Sequence, residues 1–372
     1  QRLLTCIPAM LLCYWCFGYG AWLCLALMLA AGIIAHHQKL SALLAVGILL
    51  LPATQYPATT WWSKPDLDRE YVLSLDVEHY FGNIQKMRKH LETDRQILWV
   101  TYYRNLYNAT HPSEINSPVS LSRNLLAWNQ PGTNGLILPV NPSASFLSIL
   151  FANELWFTLG DMTMAEHCAM LSMIFSPRNS GSRMIKRLAE INLVNGDDEA
   201  ALKYLRILDK TLLHKSWAEK RIPGQQTPRV KEWLEKKRRD IPTQDQLRSG
   251  NDAVTSLRNL VASNAGNLRA YEYLLCYHLL SKDLRSFVED YVPGKVSSPI
   301  FAEALLIHLA RQGNIRAEEL IKYQIPVEIA KEFADYTRIY EAKDTSLKEK
   351  YGKTYWFYYH FATTEPGKES KP

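Results

Sequence analysis

No Asp or Glu occurs before Asp66, and the first 65 residues carry only Arg2, Lys39 and Lys64 as formal charges. That block therefore offers no carboxylate for a proton or ion relay, which argues against a transport pathway through it. Cysteine is scarce too: of six, Cys6, Cys13, Cys16 and Cys24 fall in the acid-free block and only Cys168 and Cys276 follow it. A disulfide framework is excluded, so the polar part must hold together by burying its own core. No P-loop, G-x-G-x-x-G, G-x-S-x-G or H-E-x-x-H occurs, which removes nucleotide-dependent, serine-hydrolase and zinc-protease readings. With the three early cations set aside, 40 Lys and Arg face 37 Asp and Glu, so residues 66–372 carry +3 of the chain's +6. A nearly neutral domain lacks the electrostatic footprint of a nucleic-acid binder. The 47% hydrophobic content rules out a disordered chain.

What the first block does contain is apolar length. Leu3 to Ala35 runs without a charged side chain, and after His36-His37-Gln38-Lys39 a second run extends from Leu40 to Tyr56. A spanning helix needs about 20 apolar residues, so the first run is too long for one untilted span. Gly18 and Gly20, among Tyr14, Trp15, Tyr19 and Trp22, mark a turn at the headgroup level. The reading is a membrane domain over 1–62 with helices at about 3–17, 21–35 and 40–56, closed by Pro57 and Trp61-Trp62. Arg2 and Lys39 then share one side, which positive-inside logic makes the cytoplasm, with Lys64 opposing. Everything after Trp62 is periplasmic on this reading, in a multi-pass protein of a bacterial inner membrane. Two separated runs without a small-residue cleavage pattern argue against a signal peptide. The chain begins at Gln1 rather than Met, and the number of spans before it stays open. Cys13-Tyr14-Trp15-Cys16 has C-x-x-C spacing, but inside a membrane helix and without a second ligand pair it reads as small packing residues.

From Asp66 onward the apolar pattern has a helical period and comes in hairpins. In the clearest, Met184, Ile185, Leu188, Ala189, Ile191 and Leu193 form one face, and Ala200, Ala201, Tyr204, Leu205 and Leu208 the returning one. Between them, Gly196 suits a left-handed turn and Asp197 a helix cap. Segments 146–159 and 164–175 join through Gly160-Asp161, 36 residues before Gly196. Segments 268–280 with 284–291, and 299–311 with 316–323, turn at Ser281 and Gly313, 32 residues apart. These spacings bracket the roughly 34-residue period of tetratricopeptide repeats. Segments 67–81 with 84–91, and 95–108 with 119–128, read as degenerate members, and Pro326 starts a terminal helix to Ala342. The fold class is all-α: N-terminal transmembrane helices, then an irregular α-solenoid of tetratricopeptide-like hairpins over 66–361. Its array is broken by a Pro/Gly loop at 129–142 and by a basic insertion at 215–248, which holds a short helix at 229–239; a polar tail follows at 362–372.

The run Arg187-Leu188-Ala189-Glu190-Ile191-Asn192-Leu193-Val194-Asn195-Gly196-Asp197 resembles a family of uncharacterised Bacteroidales multi-pass membrane proteins. So do Glu272-Tyr273-Leu274, Glu303-Ala304-Leu305-Leu306 and Thr354-Tyr355-Trp356-Phe357-Tyr358-Tyr359-His360-Phe361, in sequence order across most of 66–361. The resemblance implies N-terminal membrane helices, often more than are present here, and a C-terminal tetratricopeptide-like domain of unknown function. It supplies no activity and no catalytic residue.

Candidate chemistry is sparse. His36-His37 lacks further ligands. Glu166, His167 and Cys168 are consecutive on one helix, so they point in different directions and cannot converge on one ion. Asp197-Asp198 could pair for a metal-dependent transferase, but a helix cap accounts for them. Between Lys215 and Arg239, nine Lys or Arg outnumber Glu219, Glu232 and Glu235, which reads as a solvated insertion or, beside a bilayer, a contact for anionic headgroups. The seven aromatic or His residues from Tyr355 to Phe361 cannot all face one core, and read as a cap on the last hairpins.

These readings assign no catalytic, cofactor-binding or metal residue. They favour a membrane-anchored interaction or scaffolding protein whose partners are the bilayer and a protein or envelope component in the repeat groove, with no nucleic acid. The alternative is an integral-membrane enzyme of envelope glycan or lipid-linked substrate metabolism, its active site in membrane helices outside this sequence.

Overall fold

A computed structural model describes residues 66–362 apart from 94, 96, 112–120, 128–131, 141–144, 177–180 and 245–251. The expected membrane helices, Cys13-x-x-Cys16, His36-His37 and the tail from Thr363 lie outside the described residues. By contact the chain divides between Tyr71 and Val72, and all packing below is within the second unit. Among the described residues there is no strand, and no helix is long and apolar enough to cross a membrane.

The first helices are α1 (Leu67–Tyr80), α2 (Ile84–Leu91) and α3 (Leu98–Thr110), followed by a single 3-10 turn at Ser122–Asn124. Next come α4 (Phe146–Leu159), α5 (Met162–Phe175), α6 (Ser182–Asn195), α7 (Asp198–Asp209), α8 (Lys215–Glu219) and α9 (Pro228–Arg238). Then follow α10 (Ala253–Ser263), α11 (Leu268–Leu280), α12 (Leu284–Asp290), α13 (Pro299–Arg311), α14 (Ala317–Lys322), α15 (Val327–Glu341), α16 (Leu347–Tyr351) and α17 (Tyr355–Phe361). Successive helices pack on one another from α4 through α8 and from α10 through α13, an arrangement consistent with a helical solenoid.

Two kinds of helix build the core. Helices α4, α11 and α13 are apolar nearly all round and buried nearly all round, as such helices must be. Helices α6 and α7 are amphipathic: Ala189, Leu205 and Leu208 close with Ala218 of α8, while Met184 and Leu188 close with Ala169 of α5. The hairpin turns repeat one device. Gly160 (φ 88°), Gly196 (φ 83°) and Lys282 (φ 59°) take the left-handed conformation. Each precedes an Asp whose carboxylate accepts from the next helix: Asp161 from Met164 N (2.8 Å), Asp197 from Ala200 N (2.9 Å), Asp283 from Ser286 N (3.0 Å).

The structure departs from the sequence reading in several places. The helix expected over 119–128 is only the 3-10 turn within its described part, because Ser122 turns its backbone N–H and its hydroxyl to Glu272 Oε1 (2.8 and 2.7 Å). Leu121 and Leu125 on either side are buried, so tertiary bonds replace the helical ladder. Helix α10 has no counterpart in the sequence reading. The loop at 129–142 is a loop where described, yet it is pressed into the core: Leu136 and Leu138 are buried, and Asn105 Nδ2 donates to Gly135 O (3.1 Å).

Candidate functional site

The most concentrated polar chemistry in the described residues is a charged seam where α1, α3, α4 and α6 meet. Helix α4 supplies Glu154, a buried carboxylate in an otherwise apolar stretch. Its Oε1 accepts from Arg183 Nη2 (2.9 Å) and its Oε2 from Arg187 Nη2 (2.5 Å), two arginines one helical turn apart on α6. Arg183 Nη1 also reaches Asp76 Oδ2 of α1 (2.6 Å), and the Tyr103 hydroxyl of α3 donates to Asp76 Oδ1 (2.5 Å). The arginines also lie against rings, Arg187 3.8 Å from the centre of Phe157 and Arg183 5.0 Å from that of Tyr80. Burial alone would raise the Glu154 pKa, but Arg187, His79 and Arg183 outweigh it and hold the carboxyl well below its ordinary range. Burial, with Asp76 beside it, pushes the Tyr103 phenol up.

Beside this seam lies the basic segment. It is packed where described, rather than a solvated excursion: Val230 and Leu234 are buried, and Trp233 stacks on Phe157 at 6.2 Å. Three of the cations here sit at carbonyl ends of helices. Arg238 donates to Val194 O (3.0 Å) and Leu193 O (2.7 Å) at the end of α6. Lys237 lies 4.5 Å from the Phe157 ring centre and reaches Phe157 O at 3.5 Å, while Arg269 of α11 donates to Thr158 O (3.2 Å), both at the end of α4. Helix C-termini attract cations through their unpaired carbonyls and the helix dipole. Burial, with Arg269 and Arg187 nearby, brings the Lys237 amine down to about 8. Lys215, Lys220, Arg229, Lys231 and Lys236 remain exposed.

The aromatic run from Tyr355 forms α17 and closes the last hairpins, with Tyr355, Trp356 and Tyr358 buried. Tyr355 OH donates to Leu279 O (2.9 Å) and Tyr358 OH to Leu280 O (2.8 Å), at the carbonyl end of α11. Trp356 Nε1 donates to Glu303 O (3.0 Å), and Tyr355 N to Glu303 Oε2 (2.5 Å). Burial pushes Glu303 up to about 7; the Tyr355 N–H pulls it down and nearby Glu332 pushes it up.

The remaining sequence candidates stay apart. On α5, Cys168 is buried and His167 exposed, with Glu166 between these extremes. Among the described residues no group of three His, Cys, Asp or Glu could hold a metal ion. Asp197 caps α7, and Asp198 is exposed in its first turn. His278 is buried with its Nε2 2.8 Å from Asp290 Oδ2, which also takes Arg258 Nε at 2.9 Å, a clamp between α10, α11 and α12. Sequence reasoning missed the seam. The available signal was a lone carboxylate inside an apolar helix, shown by Glu154 in α4 and again by Glu272 in α11.

Residues 1–362 match DUF6057, a family of unknown function, and the chain belongs to that family. No curated protein and no solved structure matches it.

Proposed function

We propose that this member of DUF6057 is a membrane-anchored helical-repeat scaffold. Segments 3–17, 21–35 and 40–56 tether it in a bacterial inner membrane, and the tetratricopeptide-like hairpins of 66–361 dock a protein or envelope component in the periplasm. The observation that supports this reading is how the seam uses its charges. Both oxygens of Glu154 and both of Asp76 are engaged by Arg183, Arg187 and Tyr103, so the buried chemistry holds four helices in register. Recognition is then left to the surface. Along α5 the outward stripe runs Thr163, His167, Met170 and Ile174; Met170, Ile174 and the adjoining Phe175 are 44%, 63% and 52% exposed. Apolar side chains gathered on one exposed face mark an interaction surface.

The test is photo-crosslinking of the full chain in intact membranes, with a reactive residue at Ile174 and a control at Lys231 on α9. One reproducible adduct from 174 and none from 231 is expected. No adduct from 174, together with loss of an envelope glycan in a deletion strain, would move the reading to the integral-membrane enzyme.

A further inference from the structure

The turn between α7 and α8 carries Leu212 and Leu213, which are 96% and 84% exposed. Side chains of this kind ordinarily tuck into the nearest apolar surface. Here they do not. On one side Leu208 is buried in the cluster with Ala189 and Leu205; on the other, Ala218 enters the same cluster and Trp217 packs on it. The turn between them is cross-braced: Thr211 Oγ1 donates to Leu208 O (2.7 Å) and accepts from His214 N (3.1 Å), and Lys215 N donates to Thr211 O (3.2 Å). The two leucines are held out at the tip of a fixed corner.

Among the exposed charged residues flanking that corner in the chain, cations outnumber carboxylates. Arg206, Lys210 and Lys215 are exposed within a few residues of the leucines in the chain, with Lys203 and Lys220 further along it, against Asp209, Glu199 and Glu219. Glu199 lies 3.6 Å from Lys203, and Glu219 4.0 Å from Lys215. Ile207, 49% exposed, extends the apolar tip along α7. A projecting apolar tip within a basic collar matches a surface that is greasy below and anionic above, because apolar insertion and charge attraction then act together.

We infer that the Leu212–Leu213 corner is a membrane wedge that inserts into an anionic lipid surface, with Arg206, Lys210 and Lys215 gripping the headgroups. The inference rests on the bilayer tether of the proposed function and adds a second contact that fixes how the hairpins lie on the membrane. The wedge leaves α5 for a partner.

The test is amide exchange of the full chain in nanodiscs of phosphatidylglycerol or of phosphatidylcholine. Exchange across residues 210–216 is expected to slow about fivefold in the anionic discs relative to the neutral ones. The double change Leu212→Ser, Leu213→Ser, which alters only exposed side chains, is expected to abolish the slowing without changing exchange in α4. Lys210→Glu with Lys215→Glu is expected to abolish it too. Equal exchange in both kinds of disc, or protection that survives the serine pair, overturns the wedge. Protection found only in native membranes also overturns it and assigns the corner to a protein partner. Failure of the chain to enter discs of either composition would instead count against the tether.

Discussion

The carbonyl ends of α4 and α6 and the carbonyl end of α11 pose one problem and receive different donors. At α4 and α6 the charged donors are Lys237, Arg269 and Arg238, joined at Leu159 O by the neutral Asn267 Nδ2 (2.7 Å). At α11 they are phenols, Tyr355 and Tyr358, delivered by a helix whose rings also fill the core. Either kind satisfies carbonyls that a helix cannot satisfy itself. The cationic answer adds attraction to the helix dipole but carries a desolvation cost, visible in the depressed Lys237 amine. The aromatic answer carries no charge and brings apolar area with each hydrogen bond. The difference teaches that a helix end can be satisfied at different cost: a charged donor sets attraction against desolvation, whereas an aromatic donor adds buried ring area.

The sharpest way to break this contrast is at the two anchors. Trp356 is fully buried among Phe333, Tyr336 and Tyr351, so Trp356→Ala is expected to cost about 3–5 kcal/mol in chemical denaturation. Arg238→Met, which removes two charged hydrogen bonds from a partly exposed side chain, is expected to cost about 1–2 kcal/mol, and less in high salt. Equal losses would erase the distinction.

A second test concerns how the basic segment is seated. A Cβ on Gly160 would meet Asp240 O at 2.2 Å, whereas one on Gly196 meets nothing within 4 Å; both residues have positive φ. Gly196→Ala therefore isolates the backbone term, about 1 kcal/mol, while Gly160→Ala adds the displacement of the segment after α9 and is expected to cost about 3 kcal/mol. Thermal unfolding of the two variants separates these contributions.

The third is pH. Glu303, at about 7, binds its proton more tightly folded than unfolded, where 4.5 is its ordinary value. Its contribution is fully present below pH 4.5 and is lost as pH rises through 7, on the order of 3 kcal/mol. Glu154, held below its ordinary range, acts in the opposite sense: its contribution is present above that range and is lost as pH falls through the folded value. Unfolding measured from pH 4.5 to 8 is expected to show a falling stability that flattens in Glu303→Gln and persists in Glu154→Gln.

Much of the fold is legible in the chain because its rules are local. Gly196-Asp197 announces both the end of α6 and the cap of α7 within a few residues, and the aromatic run from Tyr355 reads as a cap on the last hairpins, where Tyr355, Trp356 and Tyr358 are buried. The seam is not legible in this way. Arg183 meets Asp76 across 107 residues, and no short-range pattern reports that pairing. The same holds for the basic segment, whose composition reads as solvated until Arg238 and Lys237 are seen at helix ends. Charge in a sequence reports solubility; only the fold tells which cations have been drafted as caps.

The bond between Ser122 and Glu272 spans 150 residues. During synthesis at about 5–20 residues per second, the nascent chain therefore waits roughly 8–30 s between making the serine and making its acceptor. For that interval the 3-10 turn lacks the carboxylate that fixes it. The first hairpins must leave the ribosome as an unfinished surface, completed only when α11 arrives to close it.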